Sequence, residues 1–194
     1  MIFRLAEIND CQYIAKIHYQ EIKQGFLNQL GEKFLCLFYK AMIKSPNAFL
    51  IVAENNKHII GFVSGCINLK KFYKEFVKRY WHKIFLIALN KIRFVKNILE
   101  ITRYSKKEKN DLPQAELLSI AVDVQFQSQG IAKQLFEKFV LEMKKRNINK
   151  FKVIVGSDLS KAIKFYEKNG FQFYSKGFVH KNTPSLIYTY NLNL

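Results

Sequence analysis

Cysteine is scarce, and its three copies, Cys11, Cys36 and Cys66, lie far apart. They form no CxxC pair and no Cys/His cluster, which speaks against a disulfide framework and against a structural metal site. With 8 Gly and 3 Pro, the chain is no collagen-like or low-complexity polymer. Arginine is also sparse: of 32 basic residues only Arg4, Arg79, Arg93, Arg103 and Arg146 are Arg, and the rest are Lys. Base-reading contacts and bidentate phosphate clamps favour Arg, so the composition speaks against nucleic acid as a partner. Long apolar runs are missing too. Residues 84–89 form one of the longest, far short of the roughly 20 residues that a membrane-spanning helix needs. The opening Ile2-Phe3-Arg4-Leu5 reads as a strand rather than as a charged and then apolar leader. The expectation is a soluble, cytoplasmic chain.

What is present is apolar and basic. The 194 residues suit a single domain over 1–194, and a hydrophobic fraction of 49% with 18 Phe and 10 Tyr supplies a sizeable core and excludes intrinsic disorder. The net charge of +17 invites an acidic partner such as a phosphate-rich cofactor or an anionic membrane surface.

Residues 2–6 form the first strand candidate, and Asn9-Asp10 then signals a helix start. Cys11, Ile14, Ala15, His18 and Ile22 follow at helical spacing. A second helix carries Leu30, Phe34, Leu37, Phe38 and Ala41 on one face and ends near Ser45-Pro46-Asn47. Two apolar runs, 48–53 and 58–65, flank an Asn-rich turn and predict a hairpin. Residues 115–122 read as a strand, and a polar turn then reaches Gly130. The next helix has Ile131, Leu135, Phe136, Phe139 and Met143 on one stripe, with a Lys133–Glu137 pair on its outer side. After it come a strand at 151–155, a short helix at 159–168 closed by Asn169-Gly170, and two last strands at 171–179 and 185–193.

Residues 69–112 stand apart. They carry 13 basic and 4 acidic residues, which is +9 of the total, interleaved with Phe72, Phe76, Tyr80, Trp81, Phe85, Leu89 and Ile92. The spacing predicts two basic amphipathic helices and a loop inserted between strands. One face would pack on the domain or on a second subunit in a homodimer, and the other would carry a basic surface beside an acceptor site.

The polar loop that reaches Gly130 as a helix begins leaves backbone N–H groups unpaired. Those donors and the helix dipole suit a phosphate or pyrophosphate. Neither GxxxxGK[ST] nor GxGxxG occurs, so this is no ATPase P-loop or dinucleotide fingerprint. An ordinary strand-to-helix turn is the alternative when the loop is taken alone.

Gln127-Ser-Gln-Gly-Ile-Ala132 resembles the Q/R-x-x-G-x-G/A loop of the GNAT N-acetyltransferase superfamily, and Leu118-Ser-Ile-Ala-Val-Asp123 resembles the strand that leads into it. Ala162-Ile-Lys-Phe-Tyr-Glu-Lys-Asn-Gly-Phe171 resembles the family's second hallmark, A-x-x-F/L-Y-E-x-x-G-F. The likeness covers most of the chain except residues 69–112. It implies an α/β fold with a mixed, mostly antiparallel twisted sheet of about six to seven strands flanked by helices, here with a basic helical insertion. It also implies acetyl-CoA as co-substrate and no metal. The backbone of Ile120, Ala121 and Val122 would pair with the pantetheine arm, and Ser128, Gln129, Gly130, Ile131, Ala132 and Lys133 would hold the pyrophosphate.

Amine attack on a thioester needs a deprotonated amine, a stabilised oxyanion and a proton for the departing thiolate. By resemblance Tyr166 is that proton's donor, and Glu116 matches the general-base glutamate of the histone-acetylating branch. An acid in a mostly apolar strand is itself a signal, because burial raises a carboxyl pKa. Strict alternation would put Glu116, Leu118, Ile120 and Val122 on one face and Leu117, Ser119 and Ala121 on the other, unless a bulge shifts the phase. Many relatives carry Asn where this chain has Leu159; Ser157, Asp158 or Ser160 would have to replace its contact. His18, His180 and Cys66 read as structural. The acceptor would be a small amine, for example an amino sugar, or a peptide. A non-catalytic CoA-binding module and a peripheral membrane or acidic-partner protein are the rival readings.

Overall fold

The computed structural model describes residues 1–24, 26–89, 112–179 and 183–192. The strands are β1 (Ile2–Leu5), β2 (Ala48–Asn55), β3 (His58–Cys66), β4 (Glu116–Val122), β5 (Lys150–Gly156), β6 (Gln172–Val179) and β7 (Thr183–Asn191). The helices are α1 (Cys11–Glu21), the short α2 (Phe26–Gln29), α3 (Glu32–Lys44), α4 (Leu69–Leu89), α5 (Ile131–Lys145) and α6 (Ser160–Lys168). The seven strands form one sheet in the order β1-β2-β3-β4-β5-β7-β6. Every neighbouring pair is antiparallel except β4–β5. The expected sheet is therefore present. The second half of the 69–112 segment, from residue 90 to 111, lies outside the described residues, as does His180.

Local signals fix most of these elements. The β2–β3 hairpin turns through Asn56 and Lys57, both with positive φ (48° and 66°), the twist that suits a two-residue hairpin. The buried residues of α5 are Ile131, Leu135, Phe136, Phe139 and Met143, the stripe expected from the sequence. The expected Asn9-Asp10 cap is built differently. Asp10 makes no side-chain cap to its helix. Its carboxylate instead accepts two hydrogen bonds from Arg4 (2.7 and 3.0 Å) and one from the Glu7 N–H (2.7 Å). Arg4 also reaches Glu54 at 2.8 Å, so one guanidinium joins β1, the start of α1 and β2.

Two apolar layers cover the sheet. On one face α1, α3 and α4 bury Ile14, Phe34, Phe38, Tyr39, Phe72 and Phe76 against Leu50, Val52 and Phe62. On the other, α5 and α6 bury Leu135, Phe136, Phe139 and Tyr166 against Phe49, Val63 and Val153. Gly65 makes the second layer possible. A Cβ there would come within 2.6 Å of both Phe49 and Phe139, so only glycine lets these rings meet across β3.

His18 is buried on the first face, stacked on Phe62 and hydrogen-bonded through Nδ1 to the Tyr39 hydroxyl, which also reaches Ser119. This is the structural role that the sequence suggested. Burial pulls the His18 pKa from 6.5 down to about 4. The neutral ring is therefore native, and between about pH 6.5 and 4 the unfolded chain binds the extra proton. Stability from this site is full above pH 6.5 and is lost as the pH falls toward 4, by up to about 3 kcal/mol. Urea midpoints measured across that window should fall more steeply for the native chain than for His18→Gln. Parallel curves would show that His18 does not titrate on unfolding.

Candidate functional site

The parallel pairing of β4 and β5 is confined to Glu116–Lys152 and Leu117–Val153. Beyond these, β4 continues beside β3 as far as Gly61–Val122, and β5 beside β7 as far as Gly156–Ser185. The two central strands thus part after Leu117 and leave a slot between them. The edge of β4 along that slot carries Ile120, Ala121 and Val122, so all three expected pantetheine-pairing residues lie beyond the last β5 partner.

A bulge lies where the slot begins. Ser64 pairs with Ser119 but Gly65 pairs with Leu117, so Leu118 is an extra residue on β4. A bulge bends its strand and increases local twist, which parts β4 from β5. It also overturns the strict alternation expected for this strand. Leu118 and Ala121 pack in the α1/α3/α4 layer, whereas Leu117, Ile120 and Val122 pack in the α5/α6 layer. Ser119, within reach of Tyr39, joins Leu118 on the first face. Glu116 and Leu118 still share a face, but Ile120 and Val122 are on the opposite one.

The loop after β4 is built from side-chain braces. The Asp123 N–H bonds to the Ile60 carbonyl (2.9 Å), and its carboxylate accepts the Gln125 N–H (3.0 Å), holding a short 3-10 turn at Val124–Phe126. The Gln127 amide donates to the Val122 carbonyl and to Glu21, both at 2.9 Å. Glu21 also accepts the Val124 N–H at 3.2 Å. Ser128 and Gly130 then take left-handed conformations, with φ of 62° and 78°. These two reversals aim the chain into α5, whose first backbone N–H groups, from Ile131, Ala132 and Lys133, have no acceptor within the helix. Residues 127–130 are exposed, and nothing lies within 4 Å of where a Gly130 Cβ would stand. An open cradle of backbone donors at a helix N-terminus fits a pyrophosphate. Lys133 is exposed and sits 3.9 Å from Glu137, a surface pair that leaves its ammonium available.

Sequence reasoning missed Glu21. It ends α1, far before the loop it braces, and no local pattern marks it. Gln24, just beyond it, bonds to Asp158 after β5 at 2.9 Å. The end of α1 therefore touches both banks of the slot. Leu159, at the relatives' Asn position, packs its side chain into the apolar layer of α5 and α6. Asp158 is the polar group nearby, and it is engaged by Gln24.

Tyr166 is 6% exposed on α6, edge-on to Phe165 and Phe171. Its hydroxyl makes no hydrogen bond to another described residue, and burial pushes its pKa well above the usual phenol value. Glu116 is 7% exposed and lies 3.8 Å from the Lys152 ammonium, which also donates to the Pro113 carbonyl at 2.9 Å. Its charge is felt by Tyr73 and Cys66, both on the α1/α3/α4 side. Glu116 and Tyr166 thus stand on opposite faces of the sheet, with the slot between β4 and β5 separating them. Cys66 is buried, and its thiol is pushed up to about 12 by that burial and by Glu116, which makes it a poor nucleophile at neutral pH. Among the described residues no group of His, Cys, Asp and Glu could hold a metal ion, and no helix is long and apolar enough to cross a membrane.

Solved structures share this architecture. Ard1 from Thermoplasma volcanium superposes with a TM-score of 0.63 at 16% identity, covering 98% of this chain and 97% of its own. PaiA N-acetyltransferase from Thermoplasma acidophilum, in complex with coenzyme A, gives 0.64 at 14%, covering 98% and 99%. A ribosomal-protein-alanine N-acetyltransferase from Brucella melitensis gives 0.65 at 12%, covering 99% and 100%. A search of curated proteins found no match. At these identities the likeness is one of fold, but the model of the acetyltransferase (GNAT) family matches residues 18–171, which span both motifs, the slot and the helix that carries Tyr166. With a slot beside β4, a donor-lined loop at Gly130 and that match together, the chain belongs to the acetyltransferase (GNAT) family.

Proposed function

We propose that the chain transfers the acetyl group of acetyl-CoA directly to a primary amine, with both substrates bound at once. The observation that carries this reading is the parting of β4 and β5 after Leu117, which leaves the Ile120–Val122 edge of β4 without a β5 partner just before the chain turns through Gly130 into α5. The bound co-substrate supplies an activated acyl carbon and a thiolate leaving group. Ser128, Gln129, Gly130, Ile131, Ala132 and Lys133 hold its pyrophosphate, and the β4 edge at Ile120, Ala121 and Val122 aligns its arm. As the N–C bond forms and the C–S bond breaks, Glu116 takes a proton from the amine, directly or through water, and Tyr166 gives one to sulfur. The products are an amide and free CoA. Placing base and acid on opposite faces lets the amine approach from one side of the slot while the thiol is protonated from the other.

Direct transfer is favoured over a covalent acyl-enzyme because the cysteines are poor nucleophiles. Burial raises the Cys11 thiol to about 11 and the Cys66 thiol to about 12, and Cys36 is raised as well. Thiol release from acetyl-CoA, followed across a panel of amino sugars, polyamines and peptides, tests the reading. Release above hydrolysis with at least one amine is the expected result. CoA binding without turnover on any amine would make the chain a binding module instead.

Glu116→Gln separates base from brace. As a base, Glu116 produces the rising limb of the pH–rate profile, and Gln should abolish that limb. The melting temperature should fall in either case, because the buried Lys152 ammonium loses its carboxylate, so a retained limb would leave Glu116 only its structural role beside Lys152.

A further inference from the structure

The charge of α4 is distributed by face. Phe72 and Phe76 are buried against Phe34 and Phe38, and Tyr73, Tyr80 and Ile84 pack beside them. Lys70, Lys71, Lys74, Lys78, Arg79 and Lys83 are all exposed on the remaining surface. Glu75, the one acid among them, is held toward Ser45 and Asn47, which donate to its two oxygens at 2.8 Å, and offsets only one of these six cations. Trp81, the chain's single tryptophan, is 63% exposed. Trp81 directly follows Tyr80, whose φ of −119° and ψ of 15° interrupt the helix, so it opens the run beyond that kink and joins the exposed outer strip between Arg79 and Lys83 in sequence.

We propose that this outer strip of α4 docks single-stranded nucleic acid without regard to sequence, the lysines pairing with phosphates and Trp81 stacking on a base. A cationic row with an exposed aromatic is the usual chemistry of single-strand binding, because every base has a π-face and every nucleotide a charge. The scarcity of arginine, which speaks against base reading and bidentate clamps, still leaves neutralisation of phosphates by lysine point charges, the sequence-independent part of nucleic-acid binding. A membrane is the less fitting partner: an interfacial helix must bury an apolar face in lipid, and α4 has already committed Phe72 and Phe76 to the protein core. The co-substrate phosphates have their own donors at the Gly130 loop and leave this strip free.

Trp81 is a built-in probe. With the full chain saturated with CoA, to block the slot, titration with a dodecamer of uridylate should quench tryptophan fluorescence saturably. The binding constant should fall linearly with salt on logarithmic axes between about 50 and about 200 mM. Changing Lys70, Lys71, Lys74 and Lys78 together to Gln should flatten that slope by about 3, at about 0.7 for each phosphate that is no longer neutralised. Trp81→Ala, followed by anisotropy of a labelled oligomer, should weaken binding at least about fivefold. Absence of quenching, an unchanged slope in the quadruple variant, or equal affinity for polyglutamate overturns the proposal. A blue shift with phosphatidylglycerol vesicles but no response to the oligomer replaces it with a membrane surface. Thiol release on a small amine acceptor should be the same in the quadruple variant and the native chain. Failure of that assay in the native chain would bear on the enzyme reading alone.

Discussion

Tyr166→Phe is expected to lower kcat about 100-fold while leaving KM for acetyl-CoA within about twofold. The phenyl ring preserves the edge contacts with Phe165 and Phe171, so the α6 packing survives and only the hydroxyl is removed. That hydroxyl has no other described partner to satisfy. Its proton is needed only while sulfur departs, so its removal raises the barrier rather than weakening ground-state binding. Burial makes Tyr166 a weaker acid than an exposed phenol, but a thiolate released into the same surroundings is desolvated too and gains basicity for the same reason. Because the pKa is raised, native activity should show no alkaline decline from Tyr166 below about pH 10. Steady-state kinetics on both proteins checks this. Full turnover by the Phe variant would leave the tyrosine a packing role only.

Gly130→Glu should weaken CoA binding by about tenfold or more without unfolding the chain. The new Cβ meets nothing within 4 Å, so no internal clash arises. The left-handed φ of 78° costs a non-glycine residue about 1–2 kcal/mol, and a carboxylate at the start of α5 recovers part of that through the helix dipole. That same carboxylate stands where a pyrophosphate would bind. Repulsion between charges about 4 Å apart is worth roughly 1–4 kcal/mol near a protein surface. Gly130→Asn is the control, since Asn tolerates this conformation and carries no charge, and it should bind far more nearly like the native chain. Calorimetric titration with CoA, beside a melting curve, measures both effects. Equal affinities in all three proteins would remove the loop from the binding site.

Features set by near neighbours are legible in the amino-acid order. The stripe on α5, the hairpin at Asn56 and Lys57, the turn at Gly130 and the two family motifs were all readable, because helical periodicity and left-handed turns are set within a few residues. The resemblance carried by those motifs points to the loop and to Tyr166 without reference to strand order. Features that depend on distant partners emerge when the strands and helices pack. The phase of β4 changes at Leu118, where the pairing with Ser64 and Gly65 of β3 leaves one residue extra, and alternation within β4 alone carries no information about that pairing. Glu116 gained its lysine because Lys152 is its parallel partner, a pairing made only when β5 docks beside β4. Glu21 and Gln24 became neighbours of the slot because α1 crosses its end. Each of these is an interaction across sheet or layer, and its free energy is realised only when the chain has closed the long loops between the partners.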